Sequence, residues 1–331
     1  MNFKNFYAKF RKYARITCLL ALLVIVATAF CVVQLEKTYM GRDVVKDNPF
    51  TRLVFDNSPH VQLLEFKGTI FSSANWLKAM NDYTKHKNCR ALVIRLISGG
   101  GGVTASEELA LGLIKFKRER GIPVIIYATS VVASGAYYFA CSADAIVSSQ
   151  SCILGSIGVI MSHADLSEFY ENESLKDGVK INNYEGIKIT YFKTGLYKDI
   201  GASHRPPTDS EVAIFQKILD EANEYFLDHV MDSRRHKFFE VADDLDVHRD
   251  ILAQAKLYMP REAKKMGLID RIGTLEEAIL LAKSLSGLLQ NAQVRTGNHE
   301  YDGFHVKYIQ NMEYTPNVRT KVQAILLGWQ L

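Results

Sequence analysis

Cysteine is scarce in this chain, with five residues in 331, at positions 18, 31, 89, 141 and 152. The number is odd, and the spacings suit neither a disulfide framework nor a metal site. The nine histidines include no HExxH or similar arrangement. No metal is expected, and no other cofactor. Also missing are a GxxxxGK[ST] loop, a GxGxxG in its dinucleotide setting, and any internal repeat or low-complexity tract. A basic footprint for nucleic acid is missing too. The formal net charge is +4, yet residues 1–16 alone carry +5 through Lys4, Lys9, Arg11, Lys12 and Arg15, which leaves −1 for the rest. A body so close to neutral is not built to hold a polyanion, so no nucleic-acid partner is expected.

What the chain does have begins right after those basic residues. Ile16 to Val33 is an 18-residue run without charge, bounded by Arg15 and by Glu36 and Lys37. A spanning helix needs about 17–25 such residues, so residues 16–35 are expected to form one transmembrane anchor. Basic residues on its leading side predict that residues 1–15 are cytoplasmic and the body extracytoplasmic, at an inner (cytoplasmic) membrane. Ala27-Thr28-Ala29 has the small-x-small form of a signal-peptide cleavage site. The apolar residues Phe30, Val32 and Val33 beyond it favour an uncleaved anchor, and Phe30 before Cys31 argues against a lipoprotein signal. Residues 36–59 are polar and mixed, and read as a linker.

From His60 the pattern changes. Strand-like runs at 61–70, 91–97, 124–129 and 145–147 alternate with helix-like runs at 75–85 and 104–118. Such alternation predicts βαβ units and a mostly parallel sheet in an α/β fold. Thr208 to Lys237 reads as one long helix with Thr208 and Asp209 as capping candidates. Its apolar stripe, Phe215, Ile218, Leu219, Ala222, Tyr225, Phe226 and His229, is expected to pack on the core. Further helices are expected at 260–267 and 274–286, closing a domain over residues 60–287. Residues 288–331 form a polar, Tyr-rich tail with an apolar end and no assigned structure.

Two stretches of this body can carry chemistry. Ser134 lies between a strand and a helix, flanked by Ala133 and Gly135. Small neighbours admit a substrate carbonyl, and the helix start offers unbonded N–H groups. The other reading of Ser134 is a helix cap. Gly99 to Gly102 follow the 91–97 strand. With no phosphate-loop signature around them, they suit an oxyanion hole in which backbone N–H groups face a developing negative charge. Parallel neighbours would bring Gly100 to the same sheet edge as Ser134. The serine needs a base. His163 is one candidate, and a lysine kept neutral by burial is the other. Lys198, in Thr194-Gly195-Leu196-Tyr197-Lys198-Asp199-Ile200-Gly201, sits among apolar residues and glycines.

In order and spacing across about residues 60–285, these blocks resemble the SppA-type signal peptide peptidases, membrane-bound serine proteases of the Clp protease and crotonase fold. Arg95-x-x-Ser98-Gly99-Gly100-Gly101 is similar to that family's R-x-(N/D)-S-P-G-G turn, and Val132 to Tyr138 to its A-A-S-G-G-Y-Y nucleophile block. Leu154 to Val159 resembles T-G-S-I-G-V, Thr194 to Asp199 resembles S-G-x-Y-K-D, and Ala263 to Asp270 resembles A-x-x-x-G-L-V-D. The departures are Ile97 for an acid or amide, Gly99 for Pro, and Pro260 for Gly. The resemblance implies Ser134 as nucleophile, Lys198 as general base, Gly100 and Gly135 as oxyanion donors, and Ser156 as a supporting hydroxyl. It also implies a single catalytic domain in a ring-like homo-oligomer, with serine and lysine meeting across a protomer boundary.

The expected function is therefore a membrane-anchored Ser/Lys endopeptidase that degrades remnant signal peptides and other peptides. A crotonase-type acyl-thioester enzyme is one alternative. It needs basic residues near the glycine turn, and Arg95 is the only one between Ala91 and Ile114. An inactive membrane scaffold on a protease fold is the other, and the intact Ser134 and Lys198 argue against it.

Overall fold

The computed structural model describes residues 58–165 and 192–296, with the backbone of 299–301 and 304–306. The expected cytoplasmic segment and anchor, nearly all of the linker and the end of the tail lie outside the described residues. Among the described residues no helix is long and apolar enough to cross a membrane.

Strands β1 (His60–Lys67), β2 (Cys89–Ser98) and β3 (Val124–Ala133) form the centre of a sheet, connected by helices α1 (Ala74–Thr84) and α2 (Val103–Arg120). All three pair in parallel, as the alternation of runs predicted. Their side chains divide by strand period between two cores. Leu64, Phe66, Leu92, Ile94, Val124 and Ile126 join Trp76, Met80, Leu109 and Leu113 on one face. Val61, Leu63, Ala91, Val93 and Ile125 join Ala278, Ile279 and Ala282 of α7 (Leu275–Leu285) on the other. Burial on both faces explains why residues 91–97 are apolar except for Arg95.

β3 is the strand that shapes the site. Its pairing with β2 steps from Leu96↔Ala128 to Ser98↔Val132, so β3 carries two extra residues over this interval. Ser130, at φ 60°, sits in that bulge. Before it, β3 pairs with β4 (Ala145–Ser148); after it, β3 pairs with β5 (Ile153–Gly155). A bulge bends a strand and re-aims the residues beyond it, here Ser134. β5 continues antiparallel to β6 (Leu257–Tyr258), while β7 (Arg271–Ile272) pairs with β4. The sheet also runs past Gly287, where the sequence suggested the domain's end. β8 (Gln293–Thr296) adds in parallel to β1, and β9 (His299–Tyr301) pairs with β10 (Phe304–Val306) as a separate hairpin.

Four described helices besides α7 follow β3: the short α3 (Gly135–Ala140), the 33-residue α4 (Asp209–Val241), α5 (Leu245–Leu252) and α6 (Pro260–Lys265). Thr208 closes a capping box with Glu211 at the start of α4, as its position suggested. The apolar stripe of α4 behaves differently from expectation. From Phe226 onward Leu227, Val230 and Phe238 are buried, but Ile218 is 50% and Tyr225 64% exposed. Among the described residues, only the C-terminal half of the helix has an apolar core to cover.

That half is fastened by the block around Gly267. Buried Arg234 donates to the Gly267 carbonyl at 3.0 and 2.9 Å and to Asp270 at 2.8 Å. The same Asp270 oxygen accepts the Ile146 N–H of β4 at 2.8 Å, and Tyr137 Oη donates to the Leu268 carbonyl at 2.7 Å. Burial raises the Tyr137 phenol well above its ordinary pKa, so it stays a donor.

Candidate active site

Ser134 follows the bent end of β3 with φ 51° and ψ −131°. A non-glycine residue in the left-handed half of φ space costs about 1–3 kcal/mol and persists only where its surroundings over-determine it. Here they do. The Ser134 N–H donates to the Gly155 carbonyl at 2.8 Å, and the Ser134 carbonyl accepts from Tyr137 and Tyr138 at 2.8 and 3.0 Å. The side chain occupies the cap position of α3 but accepts no capping bond, and no hydrogen bond engages its hydroxyl. The cap reading therefore fails, and Ser134 Oγ is left available at a half-buried position.

The glycine turn sits directly on this residue. A Cβ placed on Gly100, which has φ 105°, would lie 2.8 Å from both Ser134 Cβ and Gly135 N. A Cβ on Gly135 would collide with Ser106 Oγ of α2, and one on Gly101 with the Ile70 carbonyl. The turn is pinned by Ile70, whose N–H donates to the Gly100 carbonyl and whose carbonyl accepts from Gly102, both at 2.9 Å. Gly99, where the family's turn has proline, leaves this arrangement intact.

One assignment changes here. The Gly100 N–H donates to Ser98 Oγ at 3.1 Å, so it is already engaged. Among the described residues the Gly101 and Gly135 N–H groups have no partner, and a Cβ on Gly135 would lie 3.4 Å from Gly101 N. The two unengaged donors beside Ser134 are thus Gly101 and Gly135. The resemblance pointed to Gly100 and Gly135. Only the seating of Ser98, a buried hydroxyl, separates Gly100 from Gly101.

Ser156 has φ 49° and follows Gly155, whose carbonyl holds Ser134; its own N–H donates to Lys256 at 2.9 Å. It is half-buried and one residue removed from the nucleophile's backbone contact. His163 is half-buried, and its buried Nε2 has no hydrogen-bond partner. No hydrogen bond joins it to Ser134.

Lys198 lies on an exposed turn over 194–201, not in the apolar setting its neighbours suggested. Leu196 is 69% exposed and Tyr197 42%, so among the described residues nothing covers the turn. No hydrogen bond or ion pair engages the Lys198 amine, and none joins it to Ser134. The adjacent carboxylate is directed elsewhere. Asp199 Oδ1 accepts from Lys193 at 2.6 Å and from Arg205 at 3.0 Å. Arg205 also reaches both oxygens of buried Glu211 at 2.8 and 2.7 Å. Hydrogen bonds from Arg205, then Lys193, hold Asp199 well below the usual carboxylate range. Those from Arg205 and from the Thr208 backbone lower Glu211 to about 2.

A strained serine beside two unengaged backbone donors is one half of an acyl-transfer site. A family model described as peptidase family S49 matches residues 116–289, which include Ser134, Ser156 and Lys198. The chain belongs to peptidase family S49. Among similar family proteins is a candidate protease of Methanocaldococcus jannaschii, MJ0651, 32% identical over 69% of this chain and 66% of its own. The chloroplastic serine protease SPPA of Arabidopsis thaliana is 30% identical over 70% of this chain and 31% of its own. A protein of Enterococcus faecium named as a candidate signal peptide peptidase SppA is 25% identical over 73% of this chain and 64% of its own. The S49 chain described here thus spans from under a third to about two thirds of each of these proteins.

Proposed function

We propose that this S49 chain is a membrane-anchored serine endopeptidase with a Ser134/Lys198 dyad that degrades remnant signal peptides and other short peptides. The observation that carries the proposal is the corner formed by Ser134, held at φ 51°, with the unengaged N–H groups of Gly101 and Gly135. Ser134 Oγ attacks the scissile carbonyl, and the carbonyl oxygen takes up negative charge toward Gly101 and Gly135. Lys198, in its neutral form, accepts the hydroxyl proton and returns it to the leaving amine. Water then cleaves the acyl-serine, and Ser134 regains its proton. Ser156 supports the base by orienting its amine.

In this reading the site is completed in a homo-oligomer. Lys198 rides on an exposed turn with Phe192 94% and Leu196 69% exposed. A neighbouring protomer covering that turn would supply the dry surroundings that a lysine base requires. The anchor over residues 16–35 would leave the body on the extracytoplasmic side. The crotonase-type alternative gains no support, since Arg95, the one basic residue between Ala91 and Ile114, is paired with Glu65 at 2.7 Å. Labelling with a serine-directed fluorophosphonate, followed by peptide mapping, is expected to place the adduct on Ser134. Absence of any adduct in a protein that folds and binds peptide would end the serine-peptidase reading.

A further inference from the structure

Lys198, as the proposed base, has an awkward neighbour. Asp199 is the next residue, and a carboxylate within about 4–6 Å favours the charged form of an amine. What keeps the two apart is a chain of four charges. Lys193 and Arg205 both donate to Asp199 Oδ1, at 2.6 and 3.0 Å, and Arg205 Nε approaches Oδ2 at 3.4 Å. Arg205 is in turn gripped by Glu211, which is buried in the first turn of α4 and accepts the Thr208 N–H at 2.8 Å. The backbone of the turn obeys the same anchors, since the Ala202 N–H donates to the Asp199 carbonyl at 3.0 Å. Between residues 192 and 212 the other titratable groups are Tyr197, His204 and Asp209.

We infer that Arg205 is a positioning residue for the proposed base: braced by Glu211, it holds the Lys198 turn on the start of α4 and draws the Asp199 carboxylate away from the Lys198 amine. This rests on the reading of Lys198 as the base. It assigns work to Arg205 that the capping box alone does not need, because Thr208 and Glu211 already satisfy each other. An arginine suits the task because its planar fork holds Glu211 through two N–H groups while also reaching Asp199, a fixed geometry that a lysine ammonium does not reproduce.

The test is the pH dependence of kcat/KM on a quenched fluorescent peptide, with the full-length, membrane-inserted protein. Activity should rise with pH as Lys198 loses its proton, and Arg205→Gln is expected to move this ascending limb upward by about one pH unit. Activity at a fixed pH on that limb should fall about tenfold. Adding Asp199→Asn removes the carboxylate that Arg205 restrains, so the double variant is expected to return the limb to its original place. A role confined to helix capping would not show that return. Arg205→Lys is expected to fall between wild type and Arg205→Gln. If Arg205→Gln does not fold, Arg205→Lys and Lys193→Gln, each with and without Asp199→Asn, give the same comparison. An unmoved limb in the folded Arg205 variants, or a shift that Asp199→Asn leaves in place, overturns the inference. Lys198→Ala, assayed alongside, separates the two readings. Retained turnover there overturns the base assignment and this inference with it, whereas an inactive Lys198→Ala with an unmoved Arg205 limb overturns the inference alone.

Discussion

The Ser134 side and the Lys198 side of this molecule are built by different means. Ser134 sits where β3, β5 and the glycine turn meet, and its backbone is fixed by bonds to Gly155, Tyr137 and Tyr138. Close packing leaves no room even for a methyl group at Gly101 or Gly135. Lys198 has none of this. Its turn is exposed and is held to α4 by ion pairs around Asp199 and Arg205 rather than by apolar burial. The contrast teaches that the described residues alone complete the surroundings of the proposed nucleophile and its donors but leave the proposed base uncovered.

Mixing subunits probes that contrast hardest. Ser134→Ala and Lys198→Ala are each expected to lower kcat by at least about 10⁴-fold. Mixed oligomers of the two are expected to recover part of the activity, because some boundaries unite an intact serine with an intact lysine. If verified mixed oligomers stay inactive, both groups act within one protomer and the contrast loses its functional meaning.

Next in size is the fastening behind the serine. Arg234 is 1% exposed and Asp270 13%, so Arg234→Met takes its closest cation from a half-buried carboxylate and two donors from the Gly267 carbonyl. A loss of about 3–5 kcal/mol in unfolding free energy is expected, read from urea titration. A change under about 1 kcal/mol would mean that the block around Gly267 is not what stabilises the nucleophile side.

The choice between neighbouring glycines comes third. Gly101→Pro deletes a proposed oxyanion donor and should cut kcat by about 10²–10³-fold. Ser98→Ala deletes only the partner of the Gly100 N–H, and is expected to cost far less. If Ser98→Ala proves the more damaging of the two in folded protein, the donor is not Gly101.

The smallest effect belongs to the lysine side. Thr208→Ala opens the capping box of α4 and should cost about 1 kcal/mol. Hydrogen exchange is expected to quicken over residues 193–201 while the amides of β3 and β5 stay protected. Acid should do the same. Glu211 is held at about 2, so its contribution is complete above the ordinary glutamate range and is lost as the pH falls toward that value. Equal loosening of β3 in either experiment would erase the distinction between the two sides.

How much of this was legible depended on the range of the interactions. The strands and helices on either side of Ser134 were readable from period and apolar runs, and Thr208 marked the start of α4 because a cap is a local hydrogen bond. The short pairs β6 and β7, two residues each, left no pattern, since their formation depends on distant partners. The stripe of α4 misled for a related reason. Helical spacing tells which residues share a face, but not whether anything lies against it, and among the described residues no core covers Ile218 and Tyr225.

By itself, the sequence determined the alternating α/β order, the strand-to-helix setting of Ser134 and the spacing of the blocks that mark the family, because these depend on residues close together along the chain. The tertiary structure decided which N–H groups are unengaged, where β3 bends, and which cation holds Asp199. Ser98 closing on Gly100, the two extra residues of β3 against β2, and Arg205 lying between Asp199 and Glu211 are settled by distances and competing partners in space. A linear pattern of residue types does not encode which of several equivalent donors another group has already taken.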